Sequence, residues 1–150
     1  MTDSRNRWRD ASRKGTLTIK GIQSGYGAQD VSEVTTSANY VVKDGKRYLF
    51  YREYLEGGAS QQVRMTIEEK EVILKKVGPL QSTLHFVRGK SMPCHYMSPV
   101  GLMELISKTR AIKMREGEHS FFLKMNYSLY MHEQHMSDYE LEIRWEEGEE

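Results

Sequence analysis

The chain has little of what usually announces a function. One cysteine, Cys94, is present among 150 residues, so no internal disulfide can form. A lone thiol fits a reducing compartment better than secretion, and a cytoplasmic location is expected. There are only three prolines, Pro79, Pro93 and Pro99, too few for a stiff linker or a proline-rich recognition segment. No apolar run approaches the roughly 18 residues of a membrane-spanning helix. The first ten residues lack the apolar stretch of a signal peptide, so neither export by that route nor membrane insertion is expected. Net charge is also scarce. Twenty-two basic and 21 acidic side chains leave +1, which gives no global field to draw nucleic acid or an anionic membrane, and both are disfavoured as partners. No Walker, Gly-x-Ser-x-Gly or His-Glu-x-x-His pattern occurs, so the protein is expected not to be an enzyme and to need no cofactor.

What charge asymmetry exists lies at the ends. Residues 1–14 carry Arg5, Arg7, Arg9, Arg13 and Lys14 against Asp3 and Asp10, while the tail carries Glu146, Glu147, Glu149 and Glu150. This divides the chain into a flexible basic N-terminal arm (1–14), one domain (15–146) and an acidic tail (147–150).

Within the domain, period-2 alternation dominates. Leu17 and Ile19 share one face of a first strand, and Val34 to Lys43 form a second after a loop at Ser24 to Gly27. Asp44-Gly45 then links Val41-Val42 to Tyr48-Leu49-Phe50-Tyr51. Asp-Gly between such runs is a strong hairpin signal, because both central residues of a type I′ turn need positive φ. Val63, Met65 and Ile67 alternate, Val72 to Val77 returns, and Leu84 and Phe86 share the next strand. Pro93 demotes the following strand towards an edge or bulge. Leu102 to Arg115 is ambiguous in period and reads as strand from its context, with a short helical turn at Met103 to Ser107 as the alternative. The last two strands are the clearest. Phe121, Leu123, Met125, Tyr127, Leu129 and Met131 form one face, and Tyr139, Leu141, Ile143 and Trp145 alternate with Glu140, Glu142, Arg144 and Glu146. One apolar and one charged face belong to an antiparallel sheet. About eight to ten strands without a long helix predict an all-β fold, a single antiparallel barrel.

Several segments, taken in order, resemble the YwiB-like family of Gram-positive bacterial proteins. They are Ile19 to Gln23, Lys43 to Glu53, Gly78 to Phe86, Ser98-Pro99-Val100-Gly101, Thr109 and the strand pair around Tyr127-Ser128-Leu129, and together they span roughly residues 15–145. Ser98 stands where that family usually has Thr, and the His- and Met-rich connection Met131 to Met136 departs from its pattern. The resemblance implies a calycin or lipocalin-like barrel and supplies no catalytic residue.

Candidate sites are few. His132-x-x-His135, with Cys94-His95 as distant partners, has metal-ligand types, yet it falls in a turn far from the remaining ligands, and no metal is expected. Cys94 and His95 are adjacent in a strand and point to opposite faces, which disfavours a nucleophile–base pair. The segment Lys46 to Leu55 is apolar on both faces, so something apolar is expected to cover its outside. Its register stays open. The preferred reading turns Tyr48, Phe50 and Tyr54 inward and leaves Glu53 in water. The alternative turns Leu49, Tyr51 and Glu53 inward, pairs Glu53 with Arg110, and makes Glu53, Arg110 and Tyr51 the ligand-binding residues of a small apolar or amphipathic ligand. A filled barrel serving as a homodimeric or protein-interaction module is the competing expectation.

Overall fold

In a computed structural model of the chain, residues 12–148 are described. Ten strands follow one another: β1 (Arg13–Gly25), β2 (Ala28–Lys43), β3 (Lys46–Tyr54), β4 (Ser60–Ile67), β5 (Glu71–Val77), β6 (Ser82–Val87), β7 (Ser91–Ser98), β8 (Gly101–Glu116), β9 (Ser120–Met131) and β10 (Gln134–Glu147). Each pairs antiparallel with its neighbours in sequence, and β10 pairs with β1 to close the barrel. The one helical element among the described residues is a 3-10 turn at Glu56–Gly58, and no helix there is long and apolar enough to cross a membrane. The expected all-β barrel is thus the observed fold, including the strand reading of Leu102 to Arg115, now within β8.

Short turns produce this up-and-down order. At the β2–β3 turn Asp44 has φ 53° and Gly45 φ 77°, the double positive φ that Asp-Gly favours. Tyr26 and Gly27 do the same between β1 and β2, with φ 51° and 76°, so the second strand resumes at Ala28 instead of Val34. The domain also begins and ends slightly outside its expected bounds. Arg13 and Lys14 belong to β1, because Arg13 stacks over Trp145 (5.5 Å) and donates to Glu147 at 2.8 and 2.9 Å. The rest of the expected arm, residues 1–11, and residues 149–150 of the tail lie outside the described residues.

Two irregularities shape the wall. In β8 the inward set changes from odd numbers (Leu105, Ser107, Thr109) to even ones (Ile112, Met114) across a bulge between Thr109 and Ala111. Between β6 and β7 the ladder holds only two pairs, Ser82↔Tyr96 and Thr83↔His95. There side chains replace main-chain bonds: the His85 N–H donates to Cys94 Sγ at 3.3 Å, and Ser107 Oγ donates to the His85 carbonyl at 2.5 Å. Pro93, lacking an N–H, sits on this interrupted side and still pairs with Ile106 of β8.

The barrel end that carries the β2–β3 turn, the start of β1 and the end of β10 is filled. Tyr40 stacks on Phe121 (5.3 Å) and on Trp145 (4.8 Å), and all three are essentially inaccessible. Leu17, Leu49, Ile67, Val72, Phe86 and Leu123 pack against them, each fully buried. Burying such a side chain contributes about 1.5–3 kcal/mol. Polar groups seal this floor from below. Tyr40 Oη and Arg47 Nε both donate to Glu116 Oε2 at 2.5 Å.

Candidate ligand cavity

The opposite end is open. Inward residues of β1, β3 to β6, β9 and β10 surround a cavity of about 430 Å³, whose apolar wall includes Ile19, Met65, Leu74, Leu84, Leu141 and Ile143. Pockets for small molecules run from about 300 to 1,000 Å³ and are mostly apolar with a few placed polar groups. This one has that composition. Three tyrosines, Tyr51, Tyr127 and Tyr139, face the space. Tyr139 stacks on Tyr127 at 5.0 Å, and Phe86 lies against Tyr127 from the floor side at 4.4 Å. No protein group among the described residues accepts a hydrogen bond from these three hydroxyls. Burial pushes the Tyr51 and Tyr127 hydroxyls up in pKa, with the Glu53 carboxylate adding to the effect at Tyr51. Both therefore stay protonated and present hydrogen-bond donors to whatever fills the cavity.

At the mouth stands a polar cluster. Glu53 accepts from Lys76 Nζ at 2.7 Å through one carboxylate oxygen and from Gln61 Nε2 at 2.7 Å through the other. Gln61, only 2% exposed, in turn accepts the Leu80 N–H at 3.0 Å and so ties the β5–β6 turn to the rim. Gly78 lies so close that a Cβ there would meet Gln61 Cβ at 2.4 Å, which explains glycine at this point of the turn. The Glu53 and Lys76 side chains are 28% and 21% exposed, an intermediate position in which both charges still reach water.

β2 parts from β3 beside this mouth. It pairs with β3 only from Ala38 to Lys43, and Ser32, Val34 and Thr36, which have inward parity, line the cavity from the part of the strand that no longer pairs with β3.

Two of the three expected site residues meet here. Tyr51 and Glu53 line the cavity, so the inward set of β3 is Leu49, Tyr51 and Glu53. The preferred reading, with Tyr48, Phe50 and Tyr54 inside, is overturned: Leu49 is fully buried, whereas Tyr48 and Phe50 stack on the outer side and Tyr54 is 72% exposed. The partner assigned to Glu53 is also corrected. Arg110 lies in the β8 bulge, which turns it outward to donate to Ser128 Oγ at 2.6 Å, with Asp138 at 4.0 Å. Lys76 takes its place. The parity Val72-x-Leu74-x-Lys76 carried that signal in the sequence. Among the described residues no three His, Cys, Asp or Glu side chains are placed to hold a metal ion. His135 contacts Asp138 at 2.9 Å on the outside, while Cys94 is buried and His95 exposed.

Residues 17–143 match a family described as a domain of unknown function, DUF1934. The chain belongs to the DUF1934 family. Its similarity extends to the Bacillus subtilis (strain 168) protein described as the uncharacterized beta-barrel protein YwiB, 27% identical over 133 residues, 89% of this chain and 93% of that protein. The crystal structure of the ywiB protein from Bacillus subtilis matches with a TM-score of 0.84 at 26% identity, covering 94% of this chain and 98% of that one. The DUF1934 match begins at Leu17 in β1 and ends at Ile143 in β10, both buried in the barrel, so it reaches from the first strand to the last.

Proposed function

We propose that this barrel is a non-enzymatic, cytoplasmic binding protein that holds a small amphipathic molecule, its apolar body in the cavity and its polar end at the mouth. The observation that carries this reading is the contrast between the two ends: one is filled by stacked aromatics, and the other keeps about 430 Å³ open between apolar side chains and unoccupied tyrosine donors. A barrel of this class can hold one small ligand when its interior is not filled by side chains. Tyr51, Tyr127 and Tyr139 would orient the molecule, and the Glu53–Lys76 pair offers both a donor and an acceptor to its polar end. An apolar wall with a few placed polar groups is what supports this reading.

The test is direct. Native mass spectrometry of the purified chain reads any retained ligand, and titration with the fluorophore 8-anilinonaphthalene-1-sulfonate reads apolar binding. Leu84→Trp places an indole in the cavity and should weaken fluorophore binding by about tenfold or more, equivalent to about 1.4 kcal/mol. Uptake that is absent in the wild type, or equal in wild type and Leu84→Trp, would overturn the proposal.

A further inference from the structure

Strand β2 pairs with β1 from Ala28 to Tyr40, Gly25↔Ala28 to Arg13↔Tyr40, yet only its last six residues pair with β3. Among the described residues, the segment 28–37 therefore carries an edge that no strand pairs with. The two-residue turn makes Gly25 and Ala28 the closing hydrogen-bonded pair, so the even-numbered residues of β2 exchange bonds with β1. Gln29, Val31, Glu33, Thr35 and Ser37 then turn their N–H and C=O groups to the open side. Sheet edges are ordinarily guarded by charged side chains, lysine above all, or by proline, a bulge or shortness. This segment has no lysine, proline or bulge; its charges are the two carboxylates Asp30 and Glu33, and it leaves Val31 62% and Val34 55% exposed.

We infer that this edge pairs with the same edge of a second copy of the chain, antiparallel, about a two-fold axis at Val31. The inference is independent of any ligand. Cross-strand complementarity selects both the occupant and the register. An axis at Glu33 would set two carboxylates face to face. An axis at Ser32 would oppose Val31 to Glu33 and Asp30 to Val34, and an axis at Val34 would require Ala38, which is already paired with Tyr51 of β3. The axis at Val31 sets valine on valine, Gln29 on Glu33 and Asp30 on Ser32. About six main-chain hydrogen bonds then form, two at each directly bonded pair. Isologous pairing of this kind closes after two copies and leaves no growing edge. The second strand would also run along the flank of the cavity where Ser32 and Val34 line it, walling the side that β2 opens by leaving β3.

Sedimentation velocity of the full chain at high micromolar concentration should show a species of twice the 17.5 kDa chain mass. Val31→Lys places two ammonium groups face to face on the axis and should yield the monomer with an unchanged far-ultraviolet circular dichroism spectrum. Glu33→Pro removes an N–H aimed at the second copy while leaving the β1 ladder intact, because that N–H points away from β1, and should act alike. In amide exchange, Val31 and Glu33 should be slow in the wild type and fast in Val31→Lys. A monomeric wild type refutes the inference, and so does a dimer whose mass survives Val31→Lys. Should Glu33→Pro fail to fold, Val31→Lys alone decides.

Discussion

Removing the Glu53 carboxylate measures how the rim is held together. In Glu53→Ala the Gln61 amide loses its acceptor in a site only 2% exposed, and Lys76 loses its counter-charge. Breaking a fully buried ion pair costs about 3–5 kcal/mol. Here the two charged ends are 28% and 21% exposed, so water recovers part of that penalty. The remaining terms are one charge-assisted hydrogen bond, about 1.5–3 kcal/mol in a buried setting, and an orphaned amide donor, about 1–3 kcal/mol. Discounted for exposure, these terms give an expected loss of about 2–3 kcal/mol in urea unfolding at neutral pH. Two companions separate the contributions. Glu53→Gln keeps an oxygen for Gln61 and should cost about 1 kcal/mol, and Lys76→Met, which leaves Glu53 bonded to Gln61 and partly in water, should cost a similar amount. A change within about 0.5 kcal/mol for Glu53→Ala is what a surface site gives. That result, or equal losses for Glu53→Ala and Glu53→Gln, would refute the reasoning.

Part of the acid sensitivity should come from the sealed end. The Tyr40 hydroxyl, then Arg47, holds Glu116 below its ordinary value, and hydrogen bonds from Arg13, then His119, hold Glu147 down at about 2. A carboxylate depressed in the folded state contributes its stability above the unfolded value of 4.5 and loses it as pH falls towards the folded one. Thermal midpoints should therefore drop below about pH 4.5, less steeply in a Glu116→Gln/Glu147→Gln double variant; an identical acid limb would refute the assignment. Gly15→Ala should destabilise by about 1–3 kcal/mol in denaturant unfolding, since steric overpacking costs that much. Its new Cβ would meet the Glu146 carbonyl oxygen at 2.2 Å and the Trp145 ring at 2.6 Å. Cys94, fully buried beside the His85 amide, should react with an aromatic disulfide reagent only at the rate of unfolding, and fast labelling under native conditions would contradict its place in the core.

The barrel was legible because its strands are half-buried, and half-burial writes an alternating code. β9 and β10 show it most plainly: each odd position from Phe121 to Met131 and from Tyr139 to Trp145 has inward parity. β3 defeats the code because the outer Tyr48 and Phe50 are as apolar as the inner Leu49 and Tyr51, so alternation alone cannot say which side is the core. What settles its register is the neighbouring ladder, where Leu49 sits opposite Met65 and Tyr40, both buried. That information is long-range. Similarly, nothing local in Ser107 to Ala111 marks the bulge that reverses parity, and a strict period carries Arg110 to the inside when the chain turns it out.

The candidate site was half legible for a related reason. A cavity is a place where inward side chains fail to meet, and sequence reports which residues point inward, not how far apart they stay. Glu53 and Tyr51 could be named from the parity of one strand, whereas Lys76, Gln61, Tyr127 and Tyr139 join them only through the closure of four other strands. The parting of β2 from β3 is of this kind as well. Ser32, Val34 and Thr36 keep the inward parity of Ala38 and Tyr40, so by pattern they belong to the core, yet the pairing of β2 with β3 ends at Ala38↔Tyr51, and among the described residues no strand pairs with that side. The polar composition of 28–37 is the one local trace: a strand segment whose inward and outward positions are both mostly hydrophilic is a segment that the barrel does not enclose. Read that way, the stretch from Ala28 to Ser37 announces an opening in the wall, and the same unpaired backbone that opens the cavity exposes an edge on which a second strand can be built.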